Sequence, residues 1–377
     1  MTTRHSADPA HRTRLSRPRR WWSRWPRWSG AVAVLVLTGY GLGAAGWFAG
    51  GPYAFARPAN PDNTFPDHWL ADLPAARVEA VTIGFCALVV AALLLMRRAV
   101  GGPLRPVLLG IGWSAAAFLA LVLPGTQALD AIPGLNLLNL KRLDWPTVHL
   151  VLLAYTGYAV AAATLAYGRL TRARCVNCGR DGGAEWPRQR WARVGVLVSI
   201  AAFVAPFGYA IVRLCWAAGI PVGTTEEFLA TINAANPGHG TVLLELILSG
   251  MAIGGGLLCL GLTRPWSQVW PRWLIGLAGR PVPHWFPAGL ATVCGGGLFG
   301  FTTLLVPDLV RFATGAPVFY PGTGVRTNWL SHVPTVSLLL WGALVLAAAA
   351  AFHYRTRSRC VHCGRGGCGQ PSPASSA

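Results

Sequence analysis

One signature occurs twice in this chain. Tyr167-Gly-Arg169-Leu-Thr-Arg172-Ala-Arg174-Cys175-Val-Asn-Cys178-Gly-Arg180 follows one hydrophobic stretch, and Tyr354-Arg355-Thr-Arg357-Ser-Arg359-Cys360-Val-His362-Cys363-Gly-Arg365 follows another. A long motif that returns at the same place after an apolar segment marks a duplicated unit, so the fold expected is two copies of one design. The signature suggests a metal site. It names neither a substrate nor a reaction.

The apolar segments themselves indicate a membrane. Of 377 residues, 53% are hydrophobic and 12% charged, and the apolar residues run in blocks too long and continuous for soluble helices. Eight blocks qualify: Gly30–Gly50, Val78–Met96, Val107–Leu123, Thr147–Tyr167, Val194–Trp216, Thr241–Leu262, Pro287–Val306 and Thr335–Tyr354. Each holds about 17–23 residues, enough at about 1.5 Å per residue to cross about 30 Å of hydrocarbon. The expected fold is therefore an all-α integral membrane protein with eight transmembrane helices.

The net charge of +19 invites a nucleic-acid reading, but the distribution of the charge argues for topology. With the N-terminus inside, all but seven of the 32 basic residues fall in inside segments; the exceptions are Arg57, Arg77, Lys141, Arg142, Arg311 and Arg326 in outside loops and Arg213 within a span. That is the positive-inside pattern, and it sets both termini in the cytoplasm. Arg12–Arg27, interleaved with Trp21, Trp22 and Trp25, stands directly before the first span, where it fits anionic headgroups better than nucleic acid. The Arg-rich, Ala- and Gly-rich composition resembles that of multi-pass proteins from high-GC bacteria, so the expected location is a bacterial plasma membrane. Ala54-Phe55-Ala56 has the form of a signal-peptidase site, yet the first span repeats later in the chain and is read as part of the fold.

The repeat can be followed span by span. Gly39-Tyr40 and Trp47-Phe-Ala-Gly50 recur at a common offset as Gly208-Tyr209 and Trp216-Ala-Ala-Gly219; Glu79, Gly84 and Arg98 recur at another as Glu245, Gly250 and Arg264. Spans three and seven end in Pro124 and Pro307, and spans four and eight open with Pro146-Thr-Val and Pro334-Thr-Val. An even number of spans per copy makes the copies parallel, a 4+4 duplication related by a pseudo-twofold axis along the membrane normal. The expected segmentation is a basic arm over residues 1–29, repeat one over 30–180, a cytoplasmic linker over 181–192, repeat two over 193–365 and a disordered tail over 366–377. Gly254–Gly256 and Gly295–Gly297 permit close helix approach, with Ala115–Ala117 in the corresponding region of copy one.

Cys175-x2-Cys178 and Cys360-x2-Cys363 each have the spacing of half a zinc ribbon, and together they offer four thiolates to a structural zinc ion. Redox-active thiols and relics that bind nothing are the competing readings. Copy two also holds His362 and Cys368, from which it could build a site alone. Cys86, Cys215, Cys259 and Cys294 lie in spans and read as small apolar side chains.

Glu79 and Glu245 are intramembrane carboxylates at equivalent places, functional-site candidates by residue type. Arg213 should lie at the depth of Glu245, while its counterpart in copy one is Ala44. Snorkelling to the nearby interface is the structural alternative. Asp62, Asp67, His68, Asp72, Glu226, Glu227 and His239 join the two glutamates as a candidate outer vestibule for a cation, against the plainer reading of solvated acidic loops. Short surface helices are expected at Asp67–Ala71 and Glu226–Ala230. His149, Thr156 and Tyr167 share one face of span four, suited to helix-to-helix hydrogen bonding. No haem or nucleotide site is expected, and no catalytic motif appears.

Three functions follow as expectations. The first is a transport or permeation protein with Glu79 and Glu245 at the outer mouth and the cysteine clasp at the inner ends. The second is a membrane scaffold or a metal or redox sensor that meets a protein partner through the cytoplasmic knuckle. The third and weakest is an enzyme acting on lipid or quinone through the thiols.

Overall fold

The structure is a computed structural model that describes residues 24–51, 74–98, 101–123, 145–180, 188–235, 238–264, 267–270, 272, 276–303, 305–318, 326–357, 360 and 362–364. Asp62, Asp67, His68, Asp72 and Cys368, most of the basic arm and the C-terminal tail lie outside the described residues.

Helices α1 (Trp25–Phe48), α2 (Ala75–Arg97), α3 (Leu104–Ala117) and α4 (Trp145–Leu170) form a first group. A second comprises α5 (Arg188–Val204), α6 (Phe207–Ala217), α7 (Glu226–Ala235), α8 (Gly240–Gly261), α9 (Trp285–Thr303), α10 (Val306–Ala313) and α11 (Val333–Thr356). No strand occurs among the described residues; Val269 and Pro281 make one isolated antiparallel bridge. Seven helical segments are long and apolar enough to cross a membrane, and α9 with α10, bent by 47° at their junction, would supply an eighth.

Local chemistry explains where these helices depart from the apolar blocks. Helix α1 starts at Trp25, inside the basic arm, because a proline sits in its first turn, where a missing N–H costs nothing. The fifth block is one membrane-length segment, Arg188–Ala217, divided into α5 and α6 at Pro206, which offers no N–H to the preceding turn. Helix α3 runs on into a π-helical turn, Phe118–Val122. The surface helix expected at Glu226 is α7, with both its glutamates in the first turn, where the helix dipole favours negative charge.

Contacts within each group follow one scheme. In the first, α1 packs on α2 and α4, and α3 packs on α4; in the second, α5 and α6 pack on α8, α5 packs on α11, and α9 packs on α11. The groups meet where the π-helical turn lies against α9. Each has its own buried cluster, Leu37, Val89, Leu119, Leu150 and Val160 in the first and Ala202, Ala252, Leu338, Trp341 and Val345 in the second.

Helices in lipid gain little from burying apolar surface against one another, so close backbone approach matters more. A Cβ at Gly157 would lie 2.7 Å from the backbone N of Ala120, and one at Gly342 2.7 Å from that of Phe299. Gly295 answers Gly342 from the facing helix, its own Cβ position 3.1 Å from the Gly342 carbonyl O. Gly254, in the other glycine run, has nothing within 4 Å. Gly342→Ala should therefore lower stability by about 1–3 kcal/mol through overpacking, whereas Gly254→Ala should be neutral or slightly stabilising. Thermal unfolding of the two variants in one detergent reads the difference; equal shifts would contradict the packing.

Candidate metal centre

Each cysteine pair is placed by the end of a long helix. Helix α4 stops at Leu170, and the chain turns through Ala173, which has a positive φ of 53°, into Cys175. Helix α11 stops at Thr356, four residues before Cys360. Both pairs then close the same turn. The Gly179 N–H donates to the Cys175 carbonyl at 2.7 Å, and the Gly364 N–H donates to the Cys360 carbonyl at 2.8 Å. Gly179 and Gly364 have φ of 76° and 69°, a region that glycine enters without a Cβ penalty. At Gly179 a side chain would also strike the Arg169 Nε, 2.9 Å from its Cβ position.

The two turns face each other. Cys175 Sγ lies 3.9 Å from Cys360 Sγ, Cys178 Sγ lies 3.6 Å from Cys363 Sγ, and all four sulfurs fall within 4.8 Å of one another. A disulfide would need about 2.05 Å. Four thiolates about 2.3 Å from one tetrahedral ion stand about 3.8 Å apart, close to the two separations across the pairs. Among the described residues this is the one group of three or more Cys, His, Asp or Glu ligand atoms at metal distance. His362, the other candidate in copy two, is exposed and outside that group.

Arginines brace the centre. Arg169 donates through Nη1 to the carbonyls of Val176 at 2.9 Å and Asn177 at 3.0 Å, filling the inside of the first turn, and its guanidinium lies over Trp25 at 5.6 Å. Arg357, from the second signature, crosses to the first and donates to the Cys178 carbonyl at 3.2 Å. Both arginines stand in the signatures, but which carbonyls they reach depends on how the ends of the helices meet, and no local pattern reveals it.

The thiols are not equivalent. Burial works to raise Cys175, but hydrogen bonds from the backbone N–H of Cys178 and Asn177 and from neighbouring thiols outweigh it and hold Cys175 down to about 7. Burial, together with the neighbouring thiols, pushes Cys178 up to about 12. Cys175 forms its thiolate more readily than Cys178, because adjacent negative charges oppose one another in so small a volume without a cation.

The outer carboxylates do not converge in this way. Glu226 and Glu227 are exposed on α7, and His239 is exposed at the start of α8. Glu245 is 1% exposed, and Arg213 Nη1 donates to its Oε1 at 3.0 Å and its Oε2 at 3.2 Å. The Arg213 guanidinium lies over the rings of Tyr209 at 5.1 Å and Trp216 at 4.9 Å. Glu79 is also buried but makes no ion pair among the described residues.

In the first group, Tyr40 and Trp47 have the sequence spacing of Tyr209 and Trp216 but surround a different residue. Tyr40 and Trp47 receive His149 from α4: the Tyr40 hydroxyl and His149 Nδ1 are 3.0 Å apart, and the Trp47 and His149 rings meet edge-on at 5.2 Å. Ser337, the residue of α11 that follows Pro334-Thr-Val, accepts a hydrogen bond from the Tyr209 N–H at 3.1 Å. The histidine stood out in the sequence; its partner on α1 did not.

No known family, no curated protein and no solved structure matches this chain. The function has to be argued from its own geometry.

Because Cys175 is lowered and Cys178 raised, the two should separate by pH in protein stripped of metal. A thiol lowered to about 7 is mostly thiolate above that pH and loses reactivity about tenfold per unit below it. Iodoacetamide labelling read by peptide mass spectrometry should rise through about pH 7 at Cys175 and stay slow at Cys178. Equal labelling of both at every pH would contradict the arrangement.

Proposed function

We propose that this is a membrane scaffold or sensor built as a parallel 4+4 duplication, whose halves are joined at the cytoplasmic face by one structural zinc ion on Cys175, Cys178, Cys360 and Cys363. The observation that carries this reading is the convergence of all four sulfurs within 4.8 Å of one another. The all-sulfur donor set suits zinc. Four protein ligands close the coordination sphere, and closed zinc sites hold structure, whereas catalytic ones keep a position open for water. The thiols are then ligands, which leaves the enzymatic reading without a nucleophile.

Three features support the duplication: the shared turn at Gly179 and Gly364, the same packing scheme in the two groups, and Tyr40 and Tyr209 each meeting a residue from the start of its own fourth span. Segment boundaries follow as 1–29, 30–180, 181–192, 193–365 and 366–377. The charge distribution supports a plasma-membrane protein with both termini in the cytoplasm. Its basic arm would meet anionic lipid, and exposed His362 beside the clasp would meet a protein partner that reads the metal state.

Metal analysis of purified protein tests the joint site. About one zinc per chain is expected, lost both in Cys175→Ser/Cys178→Ser and in Cys360→Ser/Cys363→Ser. Zinc retained in the first double variant would mean that copy two binds it alone, and no zinc in the parent protein would remove the proposal.

A permeation role is the second reading, favoured by Glu79, which is buried without an ion-pair partner among the described residues while Glu245 has Arg213. It predicts a cation-dependent flux in vesicles that Glu79→Gln abolishes and Glu226→Gln leaves intact. Equal flux in the parent and Glu79→Gln would take Glu79 out of the mechanism.

A further inference from the structure

Beside the clasp lies a cavity of about 560 Å³, bounded by both halves of the molecule. Its rim carries Arg105 from α3, Arg169 from α4, Arg172 and Arg174 from the turn before Cys175, and Arg357 from the end of α11. Among the described residues that line it there is no carboxylate. Three of the five are held in direction: Arg105 Nε donates to Thr171 Oγ1 at 2.8 Å, Arg169 Nη1 donates to the carbonyls of the first cysteine turn, and Arg357 Nη1 donates to the Cys178 carbonyl at 3.2 Å. A guanidinium has five N–H donors, so these bonds orient the forks and leave donors for a ligand. The rim is thus a convergent cationic site whose natural complement is a phosphate, which arginine binds in bidentate fashion.

Positive charge alone would be unremarkable at this face, because the inside ends of spans are basic for reasons of topology. The depth of the cavity makes the difference. Below the arginines its wall becomes Leu109, Trp113 and Leu165. Trp113 follows Arg105 by eight residues, about 12 Å along α3 and close to the half-thickness of the hydrocarbon. It is 46% exposed, so this wall looks out at acyl chains. Trp191 and Tyr354, stacked at 4.6 Å, form part of the opposite side at rim level. A free anion would leave the deep apolar part unused, and a neutral lipid would bring no charge to answer Arg105, Arg169 and Arg172.

We propose that this slot binds an anionic phospholipid, its phosphate among the five arginines and its acyl chains along Leu109 and Trp113. The inference uses the membrane-spanning reading of α3 and α4 but does not depend on the zinc. Because Cys178, Gly179 and Arg357 also line the cavity, a lipid there would touch the clasp and tie the two halves from the bilayer side.

Native mass spectrometry of the full chain in detergent, titrated with dioleoyl phosphatidylglycerol, dioleoyl phosphatidylcholine or inorganic phosphate, tests it, with zinc counted in the same spectra. The anionic lipid should bind at least about tenfold more tightly than the zwitterionic one, and millimolar phosphate should not displace it. Arg105→Gln/Arg172→Gln should remove most of that preference, and Arg172→Gln alone, at an exposed position, part of it. Arg98→Gln/Arg264→Gln, which removes equal charge at the same ends of the spans but outside the cavity, should leave binding within about twofold. Equal binding of the two lipids, equal loss in the two double variants, or displacement by phosphate would each overturn the proposal. Preference retained in a chain without zinc would discard the clasp and keep the lipid site; preference absent at one zinc per chain would do the reverse.

Discussion

Bringing Cys175 and Cys178 against Cys360 and Cys363 requires that α4 and α11 end at the same face and side by side. Few arrangements of two helical groups satisfy that condition, and the rest of the structure can be read as meeting it. The first and second pairs are 185 residues apart in sequence, so an ion held by all four closes a very long loop. Structural zinc in small peptides contributes on the order of 10 kcal/mol. A tight glycine contact such as Gly342 against Phe299 is worth about 1–3 kcal/mol by the cost of overpacking it. The clasp would therefore be the largest single term holding the halves together, with the π-helical turn against α9 setting their spacing deeper in the bundle.

At the other end of the molecule the two helical groups have similar aromatic frames with different contents. Tyr209 and Trp216 flank Arg213, which neutralises buried Glu245. Tyr40 and Trp47 flank a histidine instead, and Ala44 stands where the arginine would be. Both carboxylate oxygens of Glu245 accept from the one nitrogen Arg213 Nη1, and removing either partner of such a buried pair would strand the other. Glu79 has no such partner among the described residues. At the cysteine end the two groups match in backbone as well as in ligands, while at the opposite end they match in aromatic residues only.

Much of this was legible in the chain, and the remainder was hidden for identifiable reasons. Apolar runs located the spans because the bilayer sets both their length and their composition. Helix α1 begins ahead of its run because Trp25, Pro26 and Arg27 can sit in a first turn without being apolar, and Pro206 divides an apolar run that hydropathy alone reads as continuous. The π-helical turn at Phe118–Val122 has no signal in composition, since its residues suit an α-helix equally well. At the clasp, the Cys-x2-Cys spacing and its glycine could be read directly, whereas the meeting of the two pairs could not, because a local motif carries no information about a partner that far along the chain. Arg169 and Arg357 belong to the same category: their identities were visible, their carbonyl partners were products of the fold.

The central claim is that one ion is held by sulfur from both copies, and X-ray absorption at the zinc edge of the purified protein addresses it most directly. The account predicts a single shell of four sulfur atoms at about 2.3 Å. Two or three sulfurs accompanied by nitrogen or oxygen at about 2.0–2.1 Å, as a site built by copy two with His362 would give, would contradict it.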